Sequence, residues 1–185
     1  MTDNDHKQLK PRADNLPAAL QRSKKTGLIT TLRARIQALT HADDDWFKRL
    51  CAWADEFQIP EEEFPRDKTK LLAMQELRIS RARFTALPAE IGQLGNLQEM
   101  YLWDNQLTSL PAEIGQLSNL QELVLFGGNL TELPAEIGQL NNLKKLDLTG
   151  NQLSTLPATI GQLSNLQSIT IDGHLLLELI DMVPH

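Results

Sequence analysis

The sequence predicts an α/β fold: a right-handed solenoid with a parallel concave sheet and an N-terminal helical cap. Three observations carry this reading. One pattern recurs from Met74 onward, with copies beginning at Met74, Leu97, Leu120, Leu143 and Leu166, each 23 residues after the last (97 − 74 = 23). Each copy holds a short leucine–x–leucine core with the period-two alternation of a strand. The residues before the first copy carry apolar side chains at helical spacing instead. A fixed period in this range is the signature of a solenoid, in which each unit packs only on its neighbours.

The elements follow in order. Residues 1–27 are polar, broken by Pro11, Pro17 and Gly27, and read as a flexible basic arm. Leu28, Ile29, Leu32, Ile36 and Leu39 share one helical face. The stretch from Thr40 to Asp45 breaks that helix and offers caps for the next. In the second helix Trp46, Leu50, Trp53 and Phe57 form a single apolar stripe, which Pro60 ends. The segment EEEFPRDK then bridges to a short helical turn around Thr69–Ala73. A stack of strands exposes its core at its first coil, so residues 28–73 are expected to cap it, with the stripe packing near Leu77 and Ile79. One stripe is too little core for an independent domain.

Residues 74–185 form about five repeats. The best copy, Leu97–Asn119, reads LQEMYLWDNQLTSLPAEIGQLSN. The two leucines of the strand point inward and the residues around them outward. The proline heading the second half stops the strand. Gly92, Gly115, Gly138 and Gly161 are read as allowing a tight backbone turn on the convex side.

This pattern, LxxLxLxxNxLxxLPxxIGxLxN with its LPAEIGQLxNL signature, resembles typical leucine-rich repeats. They are the type found in plant intracellular Ras-group-related proteins and in many bacterial proteins, some of them effectors delivered into host cells. The resemblance covers 112 of 185 residues (185 − 73 = 112). It implies a protein-recognition scaffold and leaves the partner open. It also implies asparagine at one ladder position after each strand, where this chain has Ala82, Asn105, Gly128, Asn151 and His174. Asn129 is expected to substitute at Gly128, and His174 to mark an irregular final coil. The last copy also loses its proline and glycine, with Ile180 and Pro184 in their places. Leu175, Leu177 and Ile180 therefore read either as a C-terminal cap or as an edge that pairs two solenoids end to end, although a monomer is expected.

The register assigns the concave face. One column is Arg78, Tyr101, Val124, Asp147 and Thr170, and the next is Ser80, Trp103, Phe126, Thr149 and Asp172. A third is Arg81, Asp104, Gly127, Gly150 and Gly173, and the opposite flank is Glu76, Glu99, Glu122, Lys145 and Ser168. Tyr101, Trp103, Val124 and Phe126 thus meet on adjacent strands, pointing away from the core. A cluster of exposed aromatic side chains marks an interaction site. Arg78 and Arg81 lie toward one end of it and Lys144, Lys145 and Asp147 toward the other. That arrangement suggests a partner with an apolar centre and acidic rims. The convex columns of glutamate and glutamine read as a solvated back.

The charge is uneven. Residues 1–39 carry eight Lys/Arg against three Asp, a balance of +5, whereas residues 77–185 carry eleven acids against five bases, a balance of −6. An acidic solenoid argues against nucleic acid. No apolar run is long enough for a membrane span, and the N-terminus lacks the apolar core of a signal peptide. The single cysteine, Cys51, excludes a disulfide framework within one chain, so a cytoplasmic location is expected, with delivery into a host cell as the alternative. No phosphate-binding glycine loop appears, the four histidines are scattered, and Cys51 sits beside an apolar stripe as an inert thiol. The chain is therefore expected to be no enzyme and to need no cofactor or metal. It reads as a module that binds a protein or peptide on its concave face. The alternatives are a bacterial effector acting on a host signalling protein and a self-associating scaffold.

Overall fold

The computed structural model describes residues 45–175, all within the second of two compact units, Asp43–His185. The expected arm over 1–27, the helix around Leu32, and Leu177 and Ile180 lie outside the described residues.

Helix α1 runs through residues 45–56. It ends before Pro60 is reached. Gln58 adopts a left-handed conformation (φ 53°), Ile59 N–H donates to Ala54 O at 2.8 Å, and Gln58 N–H donates to Asp55 O at 3.0 Å. This paired closure is the Schellman motif, and the buried Ile59 and Ala54 supply its apolar contact. Helix α2, Lys68–Ala73, is capped by Asp67, whose side chain accepts from Lys70 N–H at 2.8 Å. Between them EEEFPRDK is more than a bridge. Phe64 is fully buried, and Arg66 ties it down by donating to Ile59 O and Phe64 O.

Five parallel strands follow in sequence order: β1 Glu76–Arg78, β2 Glu99–Tyr101, β3 Glu122–Val124, β4 Lys145–Asp147 and β5 Ser168–Thr170. Each residue pairs with its counterpart one repeat on, as Leu77 with Met100 and Met100 with Leu123. On the opposite side the coils carry 3-10 turns at Ala89–Gln93, Ala112–Gln116, Ala135–Gln139 and Ala158–Gln162, and a further one spans Gly173–Leu175. Each of the first four has proline immediately before it, which supplies an extended N-cap.

The core lies between these layers. Leu77, Met100, Leu123 and Leu146 form one inward column, and Ile79, Leu102, Leu125 and Leu148 the next; all are at most 1% exposed. Burying each such side chain contributes about 1.5–3 kcal/mol. Phe84 occupies the position that Leu107, Leu130 and Leu153 hold in later coils. It is also where α1 meets the solenoid. Trp53 packs edge-on against it at 5.2 Å, and Trp53 Nε1 donates to Ala86 O at 3.2 Å. The direct ring contacts of the stripe are thus with Phe84, further along the first coil than Leu77 and Ile79.

Backbone groups at the arch after each strand are closed by asparagine in alternate coils. Asn105 Nδ2 donates to Ile79 O at 2.9 Å and to Leu102 O at 3.2 Å, while its Oδ1 accepts from Ala82 N–H and Arg83 N–H. Asn151 donates to Leu125 O and Leu148 O, both at 2.8 Å, and accepts from Leu130 N–H. One side chain therefore serves its own coil and the preceding one. Asn129 does not substitute at Gly128, because its Oδ1 accepts from Gln152 Nε2 instead. A Cβ at Gly128 would lie 2.6 Å from Asn151 Oδ1, so glycine there leaves room for the neighbouring asparagine. At His174, the ring Nε2 lies 2.8 Å from Leu153 O.

A second asparagine ladder runs between the 3-10 turns and the strands. Asn96, Asn119, Asn142 and Asn165 donate to Leu72 O, Gly95 O, Ser118 O and Asn141 O of the preceding coil at 2.6–2.8 Å. Gly92, Gly115 and Gly138 serve close stacking and not the tight turn expected of them. None has a positive φ, and an added Cβ would approach Glu113 O, Glu136 O and Thr159 O at 2.7, 2.6 and 2.5 Å.

Two comparisons test this account. Asn105→Ala removes the partners of two carbonyls and two amides and is expected to cost about 2–4 kcal/mol, whereas Asn129→Ala should stay within about 0.5 kcal/mol; equal losses in urea denaturation would refute the alternate-coil scheme. Gly115→Ala should cost about 1–3 kcal/mol through backbone overlap. Gly95→Ala, with open space around the added methyl, should be far milder in the same assay.

Candidate functional site

Because a strand alternates, the residues flanking each buried leucine must face outward. The register then stacks four such strands into one surface. Arg78, Tyr101, Trp103, Val124, Phe126, Lys145 and Asp147 line a shallow groove of about 420 Å³. Two sequence-predicted site residues fall outside it. Arg81 stands at the arch after β1, where its Nε lies 3.4 Å from Asp104 Oδ2. Lys144 points to the other side of β4, where its Nζ donates to Gln121 Oε1 at 2.8 Å above a polar hollow with Gln98.

The apolar centre is open. Phe126 is 44% exposed, while Tyr101, Trp103 and Val124 are half-buried. Tyr101 and Trp103, two residues apart on one face, meet edge to face at 5.7 Å. The arch column beside them needs left-handed backbone: Arg81, Asp104, Gly127 and Gly150 have φ of 59°, 56°, 71° and 72°. Glycine takes this conformation without strain, and here it also leaves a low shelf. The ring of Phe126 lies alongside it, with Cε2 3.7 Å from where a Cβ of Gly150 would stand.

Charged side chains of the groove are mostly engaged with one another. Arg78 pairs with Glu76 and lies 3.9 Å from Glu99, with its guanidinium 4.4 Å over the Tyr101 ring. Lys145 Nζ lies 3.5 Å from Glu122. Between Glu99 and Glu122 stands the Tyr101 hydroxyl, at 2.9 and 3.0 Å from their carboxylates. It has one proton, so it donates to one carboxylate at a time. Asp147 Oδ1 accepts from Thr149 N–H and Oγ1. Sequence reasoning placed these columns but missed the cross-strand chain from Arg78 through Tyr101 to Lys145, which depends on side-chain reach.

Burial of the phenol, followed by its bonds to Glu99 and Glu122, raises the Tyr101 pKa above its ordinary value. A raised folded-state pKa means that the contribution to stability is complete below the unfolded phenol's value of about 10 and is lost as pH rises beyond it. Tyr101 is the sole tyrosine. Its ultraviolet absorbance should therefore show no tyrosinate near pH 10 while the chain stays folded, and an ordinary titration there would contradict the network.

Away from the groove, Cys51 is half-buried on α1 and burial pushes its thiol up, which disfavours the nucleophilic thiolate. Among the described residues no group of His, Cys, Asp and Glu is arranged to hold a metal ion, and no helix is long and apolar enough to cross a membrane.

Known proteins share this architecture. Two family models match, leucine rich repeat over residues 118–176 and leucine rich repeats in two copies over residues 95–136. No curated protein sequence gives a significant match. The structure is similar to that of a leucine-rich repeat protein of Leptospira interrogans, with 45% identity and a TM-score of 0.55 over 61% of this chain and 29% of that one. It is also similar to the crystal structure of PEPR1–AtPEP1, with 29% identity and a TM-score of 0.50 over 54% of this chain and 14% of that one. The chain thus spans less than a third of the length of either. With the repeat period, the parallel five-stranded sheet and the 3-10 turns already in view, these matches establish that the chain belongs to the leucine-rich repeat family.

Proposed function

We propose that this chain is a non-enzymatic module that binds a protein or peptide in the groove on its sheet face, with Tyr101, Trp103 and Phe126 as anchors. One observation carries the reading: three aromatic side chains and Val124 converge on a surface where alternation gives them no interior to fill. Aromatic residues centred in a concave, partly dry site are the usual anchors of an interface. The low glycine shelf beside Phe126 lets a partner backbone approach closely. The family supports the class of function, since leucine-rich repeats are an interaction fold. The PEPR1–AtPEP1 complex is consistent with it.

The test is capture from lysate with the unmodified chain and with a Tyr101→Ala/Trp103→Ala/Phe126→Ala variant. Trp103→Ala alone should reduce binding by tenfold or more, since anchors of this kind contribute about 2 kcal/mol or more, and should leave the urea midpoint close to that of the parent. A partner retained equally by both proteins would move the interface away from the groove. Unfolding of Trp103→Ala would make Trp103 a structural residue.

A further inference from the structure

Resting on that reading of the groove, we infer that the segment it accepts is basic: an aromatic or leucine side chain seated between Trp103 and Phe126, with a lysine or arginine beside it against Asp147. The four outward columns of the sheet contain six acids (Glu76, Glu99, Glu122, Asp104, Asp147 and Asp172) and three bases (Arg78, Arg81 and Lys145), a balance of −3. All three bases are already matched within the chain, to Glu76 and Glu99, to Asp104 and to Glu122. An acidic partner would have to compete for cations that have local counter-ions and enter a surface of its own sign. The arginines and lysines that suggest acidic rims in the sequence therefore do not set the polarity of this face.

The surplus lies at the C-terminal side of the groove. Asp147 lines it beside Val124 and Phe126. Its Oδ1 is committed to Thr149, while Oδ2 has no hydrogen-bond or ion-pair partner among the described residues. The side chain of Asp172, two residues past the next strand, accepts through Oδ1 from Gly150 N–H at 3.2 Å and has no further partner among the described residues. A cation held here would stand next to the Phe126 ring, where the aromatic face adds to the attraction. Its aliphatic stem would cover Val124.

The experiment uses the full chain and an array of short synthetic peptides, whose centre is tryptophan, leucine or serine and whose flanks are lysine, glutamine or glutamate. Fluorescence anisotropy gives each Kd at low and high salt. Lysine-flanked peptides with a tryptophan or leucine centre should bind about tenfold tighter than glutamine-flanked ones at low salt, and the gap should shrink as salt is added. Asp147→Asn, which keeps the shape and an acceptor for Thr149, should narrow that gap about threefold or more. If glutamate-flanked peptides bind equally well or better, with binding still lost in Trp103→Ala, the polarity inference fails and the groove stands. If no peptide shows binding that depends on Trp103, both fail.

Discussion

Everything in this solenoid follows from one constraint, the register in which each strand residue lies beside its counterpart one repeat away. Like stacks on like. For the inward columns that is favourable, because Leu77, Met100, Leu123 and Leu146 form a continuous apolar wall from a single sequence rule. For the outward flank it is a liability, because Glu76, Glu99 and Glu122 are brought into one row and like charges directly opposite destabilise a sheet. The chain relieves that row from within. Arg78 serves its start, the Tyr101 hydroxyl stands between the second and third carboxylates, and Lys145 replaces the next glutamate.

The same network joins the sheet to the proposed binding groove. Tyr101 helps separate two carboxylates and at the same time forms part of the apolar floor beside Trp103. Trp103 has no such second duty, since its groove contact is with the Tyr101 ring alone among the aromatic side chains described. The two neighbours therefore differ in kind. One holds the sheet face together, and the other is the anchor of the proposed function.

Much of this was legible in the sequence, for identifiable reasons. The 23-residue spacing fixes the strand register, and with it the outward columns, so Tyr101, Trp103, Val124 and Phe126 could be placed on one surface from alternation alone. The polarity of that surface was not legible, because whether Arg78 or Lys145 is available depends on how far a side chain reaches across a strand. Lys144 shows the limit of reasoning from proximity in sequence: it is adjacent to Lys145 but projects to the other side of the strand. The repeated glycine of the 3-10 turn was visible as a conserved feature of the repeat, yet its cause, a backbone oxygen of the next coil 2.5–2.7 Å from an added Cβ, belongs to the stack and not to any single turn. Phe84 likewise looks like another core position until Trp53 is seen resting on it.

The asparagines at the arches tie neighbouring coils together. Each spans two coils, Asn105 closing the first and second and Asn151 the third and fourth. The coil before each carries alanine (Ala82) or glycine (Gly128) at that position, and at Gly128 a side chain would collide with the asparagine that reaches across. Losing the coil that carries Asn105 or Asn151 would therefore open two arches at once, its own and that of the coil before it.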